Sequence, residues 1–108
     1  MTTINLPGHR YPVLINSVMW LEGEANYTRV HYQDGSFTMV TQPLQWFERQ
    51  FNFIRVHKSA IVNPTYIREF KQKKSRVGWV QLLNGMVLPV SRSRLEHTAI
   101  QLEQSTNL

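Results

Sequence analysis

Phe53-Ile54-Arg55-Val56-His57-Lys58-Ser59-Ala60-Ile61-Val62-Asn63 decides the reading of this chain. Residues 53–56 and Ala60-Ile61-Val62 are short apolar runs of strand type, and His57-Lys58-Ser59 forms the corner between them. Arg55, His57 and Lys58 are thereby presented from a strand-edged loop. Asn63-Pro64 closes the block, because proline cannot donate to a ladder and pushes the residue before it away from helix.

Upstream of this block the pattern is again mostly that of strands. Val13 and Ile15 alternate with other residues, and Val18-Met19-Trp20-Leu21 is a continuous apolar run suited to a buried strand. In residues 26–32, Thr28, Val30 and Tyr32 share one face while Tyr27, Arg29 and His31 share the other. Asp34-Gly35 supplies the positive backbone dihedrals of a tight hairpin, with residues 36–41 as the returning strand. Pro43 marks the first turn of a short helix; Leu44, Phe47 and Phe51 recur at helical spacing, Trp46 widens the stripe, and the helix stops near Gln50.

Downstream, Ile67 and Phe70 open another strand. Residues 76–83 and 86–90 flank Asn84-Gly85, a second hairpin signal. The last element is a helix with competing caps: Ser93 and Glu96 have the spacing of a capping box, and Ser91 suits an earlier start. Leu95, Ala99 and Leu102 form its packing stripe, and residues 104–108 read as a frayed tail. The expectation is a mainly β fold of elongated antiparallel sheets and hairpins, with one short internal helix and a C-terminal helix.

A chain of 108 residues, 42% hydrophobic, can build one modest core and no second domain. With no cysteine, disulfides and cysteine-ligated zinc are excluded, and packing alone must hold the fold. The N-terminus has neither a basic region nor a long apolar run, and no later stretch approaches a membrane span, so the expected location is the cytoplasm. The net charge of +5 is unevenly distributed: from Arg55 to Arg94 there are nine Lys or Arg against Glu69 alone, and the remaining residues are net acidic. Such segregation suits a polyanion-binding face, because each phosphate neutralised releases condensed counterions.

Three segments carry a family likeness. Met19-Trp20-Leu21-Glu22 followed by Asn26-Tyr27-Thr28, the 53–63 block, and Leu88-Pro89-Val90-Ser91-Arg92 together, in this order and spacing, closely resemble the LytTR DNA-binding domain of bacterial transcription regulators. The likeness spans roughly residues 11–103, leaving residues 1–10 as an N-terminal extension and 104–108 as a tail. It implies loops, in place of a recognition helix, entering successive major grooves of double-stranded DNA. Carried over by position, the contacting residues are Asn26, Tyr27 and Arg29, then His57, Lys58 and Ser59, then Ser91, Arg92 and Arg94. Arg92 is the leading base reader, since a guanidinium can bond guanine O6 and N7 bidentately. Lys58 follows, as a less directional donor that reads a base or grips phosphate.

Each residue also has a plainer reading. Asn26 suits a turn, Tyr27 and Arg29 suit an outward strand face, and the His57 ring suits a bond to a backbone group. Arg55 is a surface strand residue or a partner for Glu22 or Glu48. Lys71, Lys73 and Lys74 form a solvated turn or a nonspecific phosphate contact, and capping alone accounts for Ser91 and Ser93. Trp20, Trp46, Phe47, Phe51 and Phe53 are core, whereas Trp79, beside Gly78, is a candidate for exposure.

Catalysis finds no support: His9, His31, His57 and His97 lack metal-site spacing, and the chain has no phosphate loop or nucleophile elbow. No enzyme, metal or cofactor is expected. The likeness also implies paired direct repeats as the DNA target, hence two copies, with a homodimer on DNA. Receiver domains or membrane segments usually precede such domains, so the short leader points to a stand-alone reader. Such a reader acts constitutively, is controlled by its own abundance or takes its signal from a separate signalling protein; an excised or degenerate domain is the other reading of that leader. The alternative is a non-catalytic adaptor whose basic face meets RNA or an acidic protein.

Overall fold

A computed structural model describes residues 2–106 of the chain. The elements run β1 (Thr3–Ile4), β2 (Val13–Leu14), β3 (Val18–Glu24), β4 (Tyr27–Tyr32), β5 (Phe37–Val40), α1 (Leu44–Glu48), β6 (Ile54–His57), β7 (Ala60–Val62), β8 (Ile67–Gln72), β9 (Gly78–Leu82), β10 (Val87–Val90) and α2 (Leu95–Thr106). Short 3-10 turns at Ile15–Ser17, Pro64–Tyr66 and Arg92–Arg94 join them. The strands make a five-stranded sheet in the order β5-β4-β3-β7-β6, a three-stranded sheet in the order β10-β9-β8, and a β1-β2 ladder. Every pairing is antiparallel, and the molecule is elongated, 46 × 32 × 24 Å.

The larger sheet carries a core on each face, which accounts for the two apolar runs that do not alternate. Trp20 pairs with Val62 and both turn toward the three-stranded sheet and α2, where Ile54, Val56, Val80, Leu82, Val90 and Leu95 join them. The next pair, Leu21 and Ile61, turns the other way, onto Val30, Val40, Leu44, Phe47 and Phe51. Strands covered on both sides need apolar residues at every position. Accordingly all of β7 and the first four residues of β3 are buried. The outer β4 is covered fully on one face only: Thr28 and Val30 are buried while Tyr27 is exposed.

Three hairpins share one turn geometry. In each, the first residue's amide bonds to the carbonyl four residues on, and the amide three residues on returns to the first residue's carbonyl: Tyr32 with Gly35 and Ser36, Leu82 with Gly85 and Met86, and Lys73 with Arg76 and Val77. This is a type I turn closed by one residue in the left-handed region. Gly35 and Gly85 fill that position at φ of 90° and 91°, whereas in the third hairpin Arg76 fills it at 63°. At the Asp34-Gly35 turn the positive dihedral therefore belongs to Gly35, with Asp34 accepting the Ser36 amide at 2.9 Å.

Several boundaries differ from the sequence expectation. Pro43 lies just outside α1 with extended backbone (ψ 159°), so the helix occupies Leu44–Glu48 and Phe51 reaches the core from the turn behind it. The strand expected from residue 76 begins at Gly78, because Arg76 is spent on the turn. Residues 3–6, assigned to a leader, pack with the domain: β1 pairs with β2, and Leu6 is 2% exposed. In the expected tail, α2 continues to Thr106, and residues 107 and 108 lie outside the described residues. Among the described residues no helix is long and apolar enough to cross a membrane.

Candidate nucleic-acid interface

The register of the larger sheet brings the three expected contact segments to one end of the molecule. Glu22 pairs with Ala60, and the Gly23 amide donates to the Ser59 carbonyl at 2.9 Å, so the tip of the β3–β4 hairpin stands beside the 57–59 corner. Gly23 suits this approach, since a Cβ there would meet the Leu44 side chain at 3.3 Å. On the other side, the Ser91 amide donates to the Val56 carbonyl at 2.8 Å, which seats the Arg92–Arg94 turn against the same corner.

Arg55 holds the corner from beneath. Its Nε donates to the His57 carbonyl at 2.9 Å, its Nη2 donates to the Lys58 carbonyl at 2.6 Å, and Nη1 pairs with Glu48 on α1. The planar fork of a guanidinium suits two carbonyls at once, which a lysine cannot match. Burial lowers the Arg55 pKa from its ordinary value, and repulsion from Arg94 adds to it. Of the two partners expected for Arg55, the structure selects Glu48.

Within the corner the Ser59 amide donates to His57 Nδ1 at 3.2 Å, and Ser59 Oγ lies 2.9 Å from the same nitrogen. An amide can only donate, so Nδ1 is the acceptor and a neutral ring carries its proton on Nε2. The plainer reading of His57, a ring bonded to backbone, therefore describes its Nδ1 side. Lys58 is exposed, as are Arg92 and Ser93, while Ser91 and Arg94 are half-buried. Ser91 precedes the 3-10 turn in extended backbone and makes no side-chain capping bond, and Ser93 lies inside that turn, so the proposed capping box does not start α2.

The β3–β4 tip is built differently. Ala25 adopts positive φ (52°), a region where a β-carbon normally costs about 1–2 kcal/mol. Asn26, the residue better suited to such a position, sits beside it, exposed with Tyr27. Arg29 is committed to its own sheet: it lies 3.6 Å from Glu22 and 3.2 Å from Glu24, with its guanidinium 4.7 Å from the Phe37 ring centre. Glu22 also bonds His31 at 2.9 Å, and that ring stacks on Trp20 at 4.4 Å. Arg29 thus pairs with two acids beside the end where Lys58 and Arg92 stand free of them.

Sequence reasoning offered Glu48 as a partner for Arg55 but did not find its bonds to the His57 and Lys58 carbonyls, nor the left-handed Ala25 and Arg76. Only Arg55 left a trace, as a charged residue inside a strand whose neighbours Ile54 and Val56 are buried. Trp79 is half-buried with the Lys73 ammonium 5.9 Å from its ring centre. Among the described residues no three His, Asp or Glu side chains converge to hold a metal.

No curated protein matches the chain significantly. Among solved structures it is similar to the LytTr DNA-binding domain of a Bacillus cereus protein described as a methyl-accepting/DNA response regulator, with 28% identity, a TM-score of 0.77 and 94% of each chain covered. The family model of the LytTr DNA-binding domain matches residues 8–102. With the three anchor segments converging at one basic end of a mainly β fold, the chain belongs to the LytTR family of DNA-binding domains.

Proposed function

We propose that this domain reads double-stranded DNA in a sequence-specific way by inserting its 57–59 corner and its 91–94 segment into the major groove, as part of a transcription regulator. The observation that carries the reading is the convergence of Lys58, Arg92 and Arg94 at one end, held there by the bond between the Ser91 amide and the Val56 carbonyl. Arg92 is exposed and reads a guanine edge; Lys58, a less directional donor, reads a base or grips phosphate. Asn26 and Tyr27 at the neighbouring tip meet the same duplex farther along, Asn26 with the donor and acceptor needed for adenine. The His57 Nε2–H, Ser59 and Ser91 serve the sugar-phosphate backbone. Arg29 orders the tip through Glu22 and Glu24.

Selection of bound sites from a randomised duplex library at physiological salt, with single-stranded RNA as competitor, tests this. The expected result is an enriched motif repeated at about one helical turn, 10–10.5 base pairs, consistent with two copies of the domain on one operator. Arg92→Ala should then relax preference at one position of the motif by about 1–3 kcal/mol. A flat profile despite binding, or full competition by the RNA, refutes the proposal.

A further inference from the structure

We propose that the β8–β9 hairpin tip is a separate phosphate clamp, which grips the DNA backbone outside the sequence read by the three loops. The inference rests on the proposed DNA reading and extends it to a fourth segment. Gln72 and Val90 both pair with Gly78, so the β8–β9 turn emerges at the same end as Ser91 and Arg92. A turn of residues 73–77 reaches about 7–10 Å past that row at ordinary strand rise.

Packing makes the hairpin and the Arg92–Arg94 segment one unit. A Cβ on Gly78 would stand 2.2 Å from a Leu95 methyl and 3.2 Å from the Lys71 carbonyl, so the start of α2 lies directly on the strand that bears the turn. An arginine seated in the groove would therefore fix where the tip falls on the duplex.

The tip itself is charged beyond what a turn requires. Lys71, Lys73, Lys74 and Arg76 are all exposed. Lys71 has a partner in Glu69 only at 3.8 Å, Lys73 lies over Trp79, and Lys74 and Arg76 form no ion pair among the described residues. Gly35 and Gly85 occupy the left-handed position of the other two hairpins without strain, yet this hairpin places Arg76 there. A cation therefore stands in the one position of this turn that favours glycine, which adds to the charge of the tip. Phosphates are the fitting partner because these long, flexible ammonium groups act as point charges and are less directional than a guanidinium.

The test uses the full chain and the triple variant Lys71→Gln, Lys73→Gln, Lys74→Gln on the duplex enriched by selection. That duplex is supplied with ten-base-pair random flanks or trimmed to the motif. The wild type should bind the flanked duplex more tightly than the trimmed one, and the triple variant should bind both alike. On the flanked duplex the variant's salt slope should fall by about 2–3, at about 0.9 per phosphate, with the ratio of motif to scrambled sequence unchanged within about twofold. Specific binding by the wild type with no flank dependence, or a loss in the variant that is the same on both duplexes, overturns the clamp and leaves the three-loop reading intact. No motif and no duplex binding by the wild type overturns both.

Discussion

Replacing Arg55 separates a strut from a DNA contact. Its guanidinium bonds the His57 and Lys58 carbonyls and pairs with Glu48 while its side chain is 19% exposed. Bonds to a charged donor contribute about 1.5–3 kcal/mol each when their loss leaves a carbonyl dry. Lys58 is exposed, so water can replace the donor there, and the Glu48 side chain, 41% exposed, adds at most about 1 kcal/mol. The half-buried His57 carbonyl carries most of the loss, and Arg55→Ala should destabilise the domain by about 2 kcal/mol. With a urea dependence of about 1.5 kcal/mol per molar, the unfolding midpoint should fall by about 1.3 M with an unchanged slope. Arg55→Lys should recover less than half, because one ammonium cannot span both carbonyls. On DNA, Arg55→Ala should lose discrimination between sequences as the corner relaxes, with its salt slope unchanged. A midpoint shift below about 0.3 M together with a slope reduced by about 0.9 would refute the strut and make Arg55 a phosphate contact.

Other expected outcomes follow from single buried or turn residues. Asn63 is 3% exposed, donates to the Val18 carbonyl at 2.9 Å and accepts the Thr65 amide at 3.1 Å; Asn63→Ala should cost about 2–4 kcal/mol, read as a large drop in melting temperature. The Thr98 hydroxyl is buried with no partner among the described residues, so Thr98→Val should be neutral or stabilising by up to about 1 kcal/mol, and a clear loss of stability would reveal a hidden bond. The Ser36 hydroxyl and amide hold the Asp34 carboxyl below its ordinary pKa. The turn is therefore supported above the ordinary carboxylate range, and that support fades as the pH falls through the lowered pKa. Carbon-detected NMR titration should show this lowered midpoint, and Ser36→Ala should raise it.

Much of the fold is legible because short-range patterns dominate it. Asp34-Gly35 and Asn84-Gly85 mark two hairpins by the dihedrals that glycine alone adopts freely, and both exist as expected. The unbroken run at Val18-Met19-Trp20-Leu21 announces a buried strand and Ala60-Ile61-Val62 a short apolar one, and the structure covers both on two faces. The third hairpin was misread at its start because Arg76 gives no turn signal; there the pairing of Gln72 with Gly78 imposes the turn on an unfavourable residue. The helix start at Pro43 was misplaced by one residue, since proline suits both the position inside a helix and the extended one before it.

By itself the sequence determined the mainly β class, the burial of the 18–21 strand, the basic 55–94 region and the likeness that names the contact segments. These are properties of local periodicity, charge and motif order, which survive without knowledge of distant neighbours. Only the tertiary structure decided which charges are free. Arg29 and Lys58 read alike in one dimension, yet antiparallel pairing sets Arg29 against Glu22 and Glu24, while the fork of Arg55 fastens the corner that leaves Lys58 exposed. Partnerships between residues far apart in the chain depend on register and packing, and it is these that turn a list of basic residues into an interface.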